Sequence, residues 1–344
     1  MKQIKQIVFT DAYKAEYLVI TDVDFSKIGE NEVVVKTKIS TISAGTERAN
    51  FIGDPNIEAF IGAKPNVTFP RKLGYSSAGE VVAVGKNVKK VQVGDRVVVY
   101  GGYHKNYNIV NQNNVVKIEN ENVSYQDAGM AYISIFPLAA IRKVKLELGE
   151  SLMVMGLGIL GQLAVMYARA GGAYPIIACD PKKERREVAL KNGADYALNP
   201  LDKDFAEQVK KITNGGVKTA IEVTGVGAGL DETLDCMARL GRVALLGCTR
   251  NSDFSIDYYR KVHGPGITLI GAHTNARPVG ESYPSYFTSE DDIKTALNLC
   301  ASGRLYFKNL VEETHLPSNC QEVYTRLATD KNFPIGVQFN WENE

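Results

Sequence analysis

The segment Ser151-Leu-Met-Val-Met-Gly156-Leu-Gly158-Ile-Leu-Gly161 is a short apolar run ending in Gly-x-Gly-x-x-Gly, and Asp180 closes a second apolar run, Ile176-Ile-Ala-Cys. This order predicts strand, tight turn, helix and second strand, a βαβ unit whose chemistry is the recognition of a dinucleotide. Gly156 permits the turn, Gly158 lets the backbone approach a pyrophosphate, and Gly161 lets the helix pack against the strand. Ile159 and Leu160 open that helix, and its N-terminus carries the anion. The carboxylate of Asp180 takes both hydroxyls of an adenosine ribose. NAD is therefore expected over NADP, whose 2′-phosphate would meet a negative charge.

The elements that must position these residues are numerous enough for two cores. The chain has 344 residues, 44% hydrophobic and 23% charged, which suits a soluble protein of two domains. Lys+Arg total 40 against Asp+Glu 39, so there is no basic face for nucleic acid and the expected partner is a small-molecule substrate. The N-terminus lacks the apolar core of a signal peptide, and no run has the ~20 apolar residues of a membrane span. A cytoplasmic protein without membrane contact is expected. Cys179, Cys236, Cys248, Cys300 and Cys320, with His104, His263, His273 and His315, offer neither a C-x-x-C pair nor the spacing of a structural zinc site.

Residues 1 to about 130 read as β-rich, with short β-branched runs at Glu32-Val-Val-Val, Gly79-Glu-Val-Val and Asp95-Arg-Val-Val-Val-Tyr. From Leu138 strands alternate with helices: helices over 159–170, from Pro181 to Gly193 and over 204–213, and strands beginning at Thr219, Arg242 and Ile267. That alternation predicts a doubly wound parallel sheet. A tail after Thr274 holds one helix with a capping-box start, Ser289-x-x-Asp292, another beginning at Ser318, and a strand at Val337. It is too short for a domain of its own and is expected to return to the N-terminal module.

Gly74-Tyr-Ser-Ser-Ala-Gly79-Glu-Val-Val-Ala-Val-Gly85 followed by Gly94-Asp-Arg-Val, ahead of the mid-chain nucleotide fingerprint, resembles the medium-chain dehydrogenase/reductase family of alcohol dehydrogenase relatives. The resemblance covers nearly the whole chain. It implies an α/β protein with a discontinuous, β-rich GroES-like catalytic domain (1–131 and 275–344) and a Rossmann doubly wound parallel-sheet NAD domain (132–274). It also implies a cleft between the domains, hydride transfer at a nicotinamide, and a homodimer or homotetramer. Arg185 falls where relatives carry a basic residue near the ribose, beside Pro181. The strand ends Thr224-Gly225, Gly247-Cys248 and Ala272-His273 are assigned to the same cofactor site, His273 through its backbone.

Departures from the family pattern are equally informative. Zinc-dependent members carry a cysteine within the segment Ile42–Glu47, His-Glu at Tyr75-Ser76, and a third ligand near Ala131-Tyr132. The four-cysteine structural lobe is missing too. No metal is expected, and the resemblance narrows to a zinc-lacking bacterial subgroup similar to sugar, polyol and bacteriochlorophyllide dehydrogenases.

Something else must then stabilise an alkoxide and move a proton. His104 is either a substrate-facing acid or base or a surface-loop residue beside Lys105. Tyr75 either donates to a carbonyl oxygen or fills the volume of the absent metal. Glu47 either orients a histidine or binds a substrate hydroxyl, or pairs structurally with Arg48 or Arg71. The reading is an NAD-dependent, zinc-independent oxidoreductase acting on a secondary alcohol or ketone of a sugar- or polyol-like substrate. The alternatives are an NAD(P)H-dependent enoyl/quinone-type C=C reductase and a catalytically inactive dinucleotide-binding protein.

Overall fold

The computed structural model of the chain describes residues 1–58 and 62–342. It divides into two compact units, Met1–Ile133 with Ile293–Glu344, and Ser134–Asp292. In the first unit, β1 (Lys2–Asp11) and β2 (Lys14–Val23) form an antiparallel pair of their own. The β-branched run Glu32–Thr41 is β3, in which Val33, Val34 and Val35 are all fully buried. Consecutive buried residues mean that both faces of the strand are covered, so the run reads as continuous apolar rather than alternating. Helix α1 (Ala44–Phe51) follows at once, and then come β4 (Ser76–Val84), β5 (Arg96–Tyr100), β6 (Tyr107–Asn111), β7 (Val115–Lys117) and helix α2 (Tyr125–Lys143).

The second unit starts within α2, at Ser134, and its first strand is β8 (Leu152–Met155), whose four residues are all buried. Helix α3 (Ile159–Ala170) leads to β9 (Ile176–Cys179), and helix α4 (Lys183–Lys191) to β10 (Tyr196–Leu198). Helix α5 (Phe205–Thr213), β11 (Val217–Glu222), helix α6 (Gly227–Asp235), β12 (Met237–Leu245) and β13 (Thr268–Gly271) complete it. Every pairing is parallel and the order is β10-β9-β8-β11-β12-β13, the 3-2-1-4-5-6 winding of a dinucleotide-binding sheet. Met153, Ile177, Phe205, Val209, Ala220 and Val243 lie in its core. Cys179 and Cys236 are packing residues in that core.

The tail supplies helix α7 (Ser289–Ala301), β14 (Val311–His315), helix α8 (Cys320–Thr329) and β15 (Gly336–Asn340). Antiparallel pairing of β15 with β3, and parallel pairing of β14 with β15, extend the first unit's sheet to β14-β15-β3-β4-β5-β7, with β6 also on β3. Phe9, Phe51, Tyr324, Phe339 and Trp341 pack beneath it. The return to the N-terminal module begins at residue 293 rather than 275. The cause is Arg277, whose guanidinium reaches Asp292 at 3.2 Å and the Ile135 carbonyl at 3.2 Å and so keeps the intervening loop on the second unit. The capping box also sits one residue earlier than expected: Thr288 Oγ1 accepts from Asp291 N at 3.2 Å and donates to the Asp291 carboxyl at 3.0 Å. Asp292 is thereby released to meet Arg142 at 3.0 Å as well as Arg277.

One ionic cluster ties β14 to α8. Arg326 makes a two-pronged contact with Glu313 at 2.9 and 2.9 Å, and His315 Nε2 lies 2.7 Å from the same carboxyl. The Arg326 hydrogen bonds, followed by that of His315, hold Glu313 down to about 2, below its ordinary 4.5. A lowered carboxyl contributes stability above its unfolded value and loses it as pH falls through the folded one. Glu313→Gln should therefore cost about 1 kcal/mol near pH 7 after allowance for partial solvent screening. Denaturant titrations of variant and parent should converge as the pH is lowered from 4.5 toward 2.

Candidate active site

In the second unit the three fingerprint glycines are required for three different reasons. Gly156 has φ +99°, a left-handed turn that side chains resist. A Cβ on Gly161 would lie 1.9 Å from the Gly156 carbonyl oxygen, so helix and turn touch only because it is absent. Gly158 caps α3 and has nothing within 4 Å of where its Cβ would stand, which leaves an open backbone face at the helix N-terminus. Ile159 is buried and Leu160 half-buried on the first turn.

Asp180 is 5% exposed and laces this turn to the end of β9. Its Oδ2 accepts from Leu157 N at 2.9 Å and its Oδ1 from Lys182 N at 2.8 Å. Each oxygen retains a second lone pair for a ligand hydroxyl. Arg185 stands 3.7 Å from the carboxyl, while Arg186, which the sequence reading passed over, donates to the carbonyls of Asp180 at 2.7 Å and Pro181 at 2.9 Å. Pro181 itself is exposed.

The remaining strand ends group with the turn. A Cβ on Gly156 would meet Thr224 at 3.0 Å, and one on Gly247 would lie 2.3 Å from Gly225 N. Thr224 N donates to Glu222 at 2.8 Å, and its hydroxyl bonds the same carboxyl. Burial raises the Glu222 acid above its ordinary value. Cys248 is exposed, whereas Ala272 is buried and donates its N–H to the Leu245 carbonyl at 3.0 Å. His273 is half-buried and accepts from Asn275 N at 3.2 Å. Burial, and then the Lys143 ammonium, lower its pKa.

In the first unit, Tyr75 enters β4 after Gly74, whose φ is +104°. The Tyr75 hydroxyl bonds Ser43 Oγ, and the Thr46 hydroxyl also bonds the phenol. Burial holds that phenol well above the ordinary tyrosine range. The ring of Tyr132 meets that of Tyr75 edge-on at 5.7 Å, and Tyr100 stacks on Tyr132 at 5.3 Å. Ser43, Tyr75 and Tyr132 stem from three separate segments and meet at one place. Ser76 is engaged elsewhere, donating to the Gly129 carbonyl at 2.8 Å and accepting from Ile133 N at 3.3 Å.

Beneath them runs a buried polar chain. Trp341 Nε1 donates to Ser40 Oγ at 2.8 Å, and Ser40 Oγ lies 2.7 Å from His104 Nδ1. His104 Nε2 is 3.1 Å from Glu47 Oε2, which also accepts from the Tyr324 hydroxyl at 2.6 Å. Glu47 Oε1 takes the Ser43 N–H at 2.9 Å. Since a carboxylate only accepts, Nε2 carries the proton toward Glu47, and in the neutral ring Nδ1 then accepts from the Ser40 hydroxyl.

Two expectations are corrected here. His104 is 1% exposed with its ring against Phe339, so it is neither a surface-loop residue nor a side chain open to substrate. Glu47 is 0% exposed and pairs with His104 and Tyr324, which agrees with the alternative that it orients a histidine and corrects the pairing with Arg48 or Arg71. Arg48 donates to the Ala328 carbonyl, and Arg71 to those of Thr68, Asn50 and Asn66. The sequence reading missed Tyr100 and Tyr132 as site residues. The available signal was a tyrosine at the end of one strand, Tyr100, and another following Ala131 in α2.

A family model described as a zinc-binding dehydrogenase matches residues 160–300, and one described as the alcohol dehydrogenase GroES-like domain matches residues 29–132. The chain is 31% identical over 288 residues to an L-threonine 3-dehydrogenase of Pyrococcus abyssi, covering 76% of this chain and 80% of the relative. It belongs to the medium-chain dehydrogenase/reductase family. This alcohol dehydrogenase-like oxidoreductase is also 24% identical to a D-guloside 3-dehydrogenase of Escherichia coli, over 90% of this chain and 93% of the relative. Its fold matches the 2R,3R-butanediol dehydrogenase of Bacillus subtilis with a TM-score of 0.80 at 23% identity, over 98% of this chain and 99% of that one. Among the described residues, no helix of this dehydrogenase is long and apolar enough to cross a membrane.

The glycine geometry separates packing from binding. Gly161→Ala drives a methyl into the Gly156 carbonyl and should lower stability by about 2–4 kcal/mol. Gly158→Ala meets open space and should leave the melting temperature within a few degrees of the parent. Thermal denaturation of the two variants checks the contrast.

Proposed function

We propose that this chain is a zinc-independent, NAD-dependent dehydrogenase that transfers a hydride between the nicotinamide and a secondary alcohol or ketone of a sugar- or polyol-like substrate. The observation that carries the reading is the Tyr75–Ser43 hydrogen bond, made between two positions where zinc-dependent members carry ligands. Zinc takes thiolate, imidazole or carboxylate donors at three convergent points. The side chains that converge are two hydroxyls and the ring of Tyr132, a set that does not fit the metal in the matched family model's name. Among the described residues, no three His, Cys, Asp or Glu side chains form a metal-holding group.

The nicotinamide, when bound, supplies or accepts the hydride. The backbone of Gly156–Gly161 would hold its pyrophosphate, with Asp180 on the ribose, Arg185 beside it, and Thr224, Gly225, Gly247, Cys248, Ala272 and His273 along the strand ends. The open face of Gly158 fits such a ligand. In the reaction, Tyr75 acts as the acid. Its raised pKa keeps the phenol protonated at neutral pH, so it donates to the ketone oxygen as that oxygen gains charge. Ser43 and Thr46 orient the hydroxyl. Glu47 and His104 position it through the Ser43 backbone and do not touch substrate. The five free cysteines support a cytoplasmic address. A homodimer or homotetramer belongs to the same proposal.

Tyr75→Phe should lower kcat by about 10²-fold with little change in NADH affinity. Because the phenol must be deprotonated to serve as base, alcohol oxidation should rise with pH across the alkaline range, while ketone reduction stays flat from neutrality upward until the phenol ionises. Activity should survive prolonged chelation, and a parallel loss of zinc and activity would overturn the metal-free reading. Asp180→Ser should shift the ratio of kcat/KM for NADP over NAD upward by about tenfold or more. Steady-state kinetics with both cofactors measure it.

A further inference from the structure

We infer that the substrate is an uncharged cyclic alcohol, a pyranoside or cyclitol, seated with a C–H face of its ring against Tyr132 and Tyr75. The inference rests on the dehydrogenase reading above and specifies its substrate class. Tyr75, Tyr100 and Tyr132 are each half-buried, and their rings form a continuous cluster through contacts of 5.7 and 5.3 Å. Tyr132 stands between the other two. Tyrosine rings offer an apolar body with a polar tip, so such a cluster makes a surface that is apolar in the middle and hydroxylated at its edge.

Three charged side chains near in sequence, Glu47, Arg48 and Arg71, are committed elsewhere. Glu47 lies buried under Ser43, Arg48 bonds the Ala328 carbonyl, and Arg71 is shared among three backbone carbonyls. The edge of the cluster carries the neutral hydroxyls of Tyr75, Ser43 and Thr46. Recognition of an ammonium and a carboxylate on one substrate needs fixed counter-charges, and these hydroxyls provide none.

A ring of axial and equatorial bonds gathers C–H groups on one face and sends hydroxyls outward around its rim. An open-chain polyol has no such face, because its hydroxyls emerge on both sides of a flexible chain. The aromatic cluster therefore matches the ring shape, and the rim hydroxyl nearest Tyr75 is the one whose carbon exchanges the hydride. The balance is simple. The hydrogen of that C–H bond would leave with its electron pair as hydride to the nicotinamide that the second unit would hold, the O–H proton would pass to the phenolate oxygen of Tyr75, and the electron pair left on oxygen would close the C=O bond.

The test uses the intact chain with NAD and compares kcat/KM for methyl pyranosides and myo-inositol with sorbitol, mannitol and L-threonine. Cyclic substrates should be favoured by about tenfold or more. Tyr132→Leu should raise KM for the cyclic substrate about five- to tenfold with a much smaller effect on kcat, and Tyr132→Phe, which keeps the ring, should recover most of the lost affinity. Tyr100→Leu, which removes the ring behind Tyr132, should act in the same direction, and it keeps the test alive if Tyr132→Leu fails to fold. Equal or better turnover of linear polyols or L-threonine, or a KM indifferent to both leucine variants, overturns the ring-stacking inference and leaves the dehydrogenase reading standing. Failure to oxidise any of these alcohols, in a chain that binds NADH, overturns both.

Discussion

The first unit is organised around a single carboxyl that has no contact with water. Glu47 is fully buried, and a buried carboxyl left without partners costs several kcal/mol, so the surrounding chain has to bring donors to it. Three arrive, one from the same turn and two from distant segments: the Ser43 amide from the start of α1, the His104 ring from the loop after β5, and the Tyr324 hydroxyl from α8. Ser40 and Trp341 extend the same chain into β3 and the C-terminal strand region. Residues separated by almost 300 positions are thereby held in one register, and Ser43, which touches the Tyr75 hydroxyl, inherits its place from that core. A further interlock supports it, because a side chain on Gly74 would strike His104 N at 2.2 Å.

The second unit reaches its precision by a different route. Steric exclusion at Gly161 presses helix against turn, and the Asp180 carboxyl pins that turn through two backbone amides. The same carboxyl that is expected to select the ribose is thus already a structural fastener, and its lone pairs serve both purposes. Glu222 fastens the end of β11 in a similar way, holding Thr224 by backbone and hydroxyl. Local hydrogen bonds at the carboxyl ends of parallel strands therefore shape this region before any ligand is considered.

Much of the second unit was legible because its signals are local. A Gly-x-Gly-x-x-Gly between two buried apolar runs predicts a strand, turn and helix within one stretch of chain, and α3 spans Ile159–Ala170 as the periodicity and the Gly171-Gly172 stop require. The Ser289 capping box was legible only to within a residue, since Thr288 and Asp291 offer the same chemistry one step earlier. Helix α1 escaped notice because Ala44–Phe51 shows little amphipathic spacing; it follows directly on β3, and its acidic residue folds back onto Ser43. The boundary at residue 293 was hidden as well, because it depends on Arg277 finding Asp292 and the Ile135 carbonyl.

By itself the sequence determined the fold class and the place of the nucleotide fingerprint. Those depend on residue type and short spacing, which a linear chain carries openly. Only the tertiary structure decided which side chains meet in the first unit: Tyr75 on Ser43 with Tyr132 and Tyr100 beside it, and His104 and Glu47 withdrawn into the core. Burial and side-chain partnership are set by contacts between segments far apart in sequence. A histidine in a glycine-rich loop looks the same on paper whether its two nitrogens face solvent or, as here, Ser40 and Glu47.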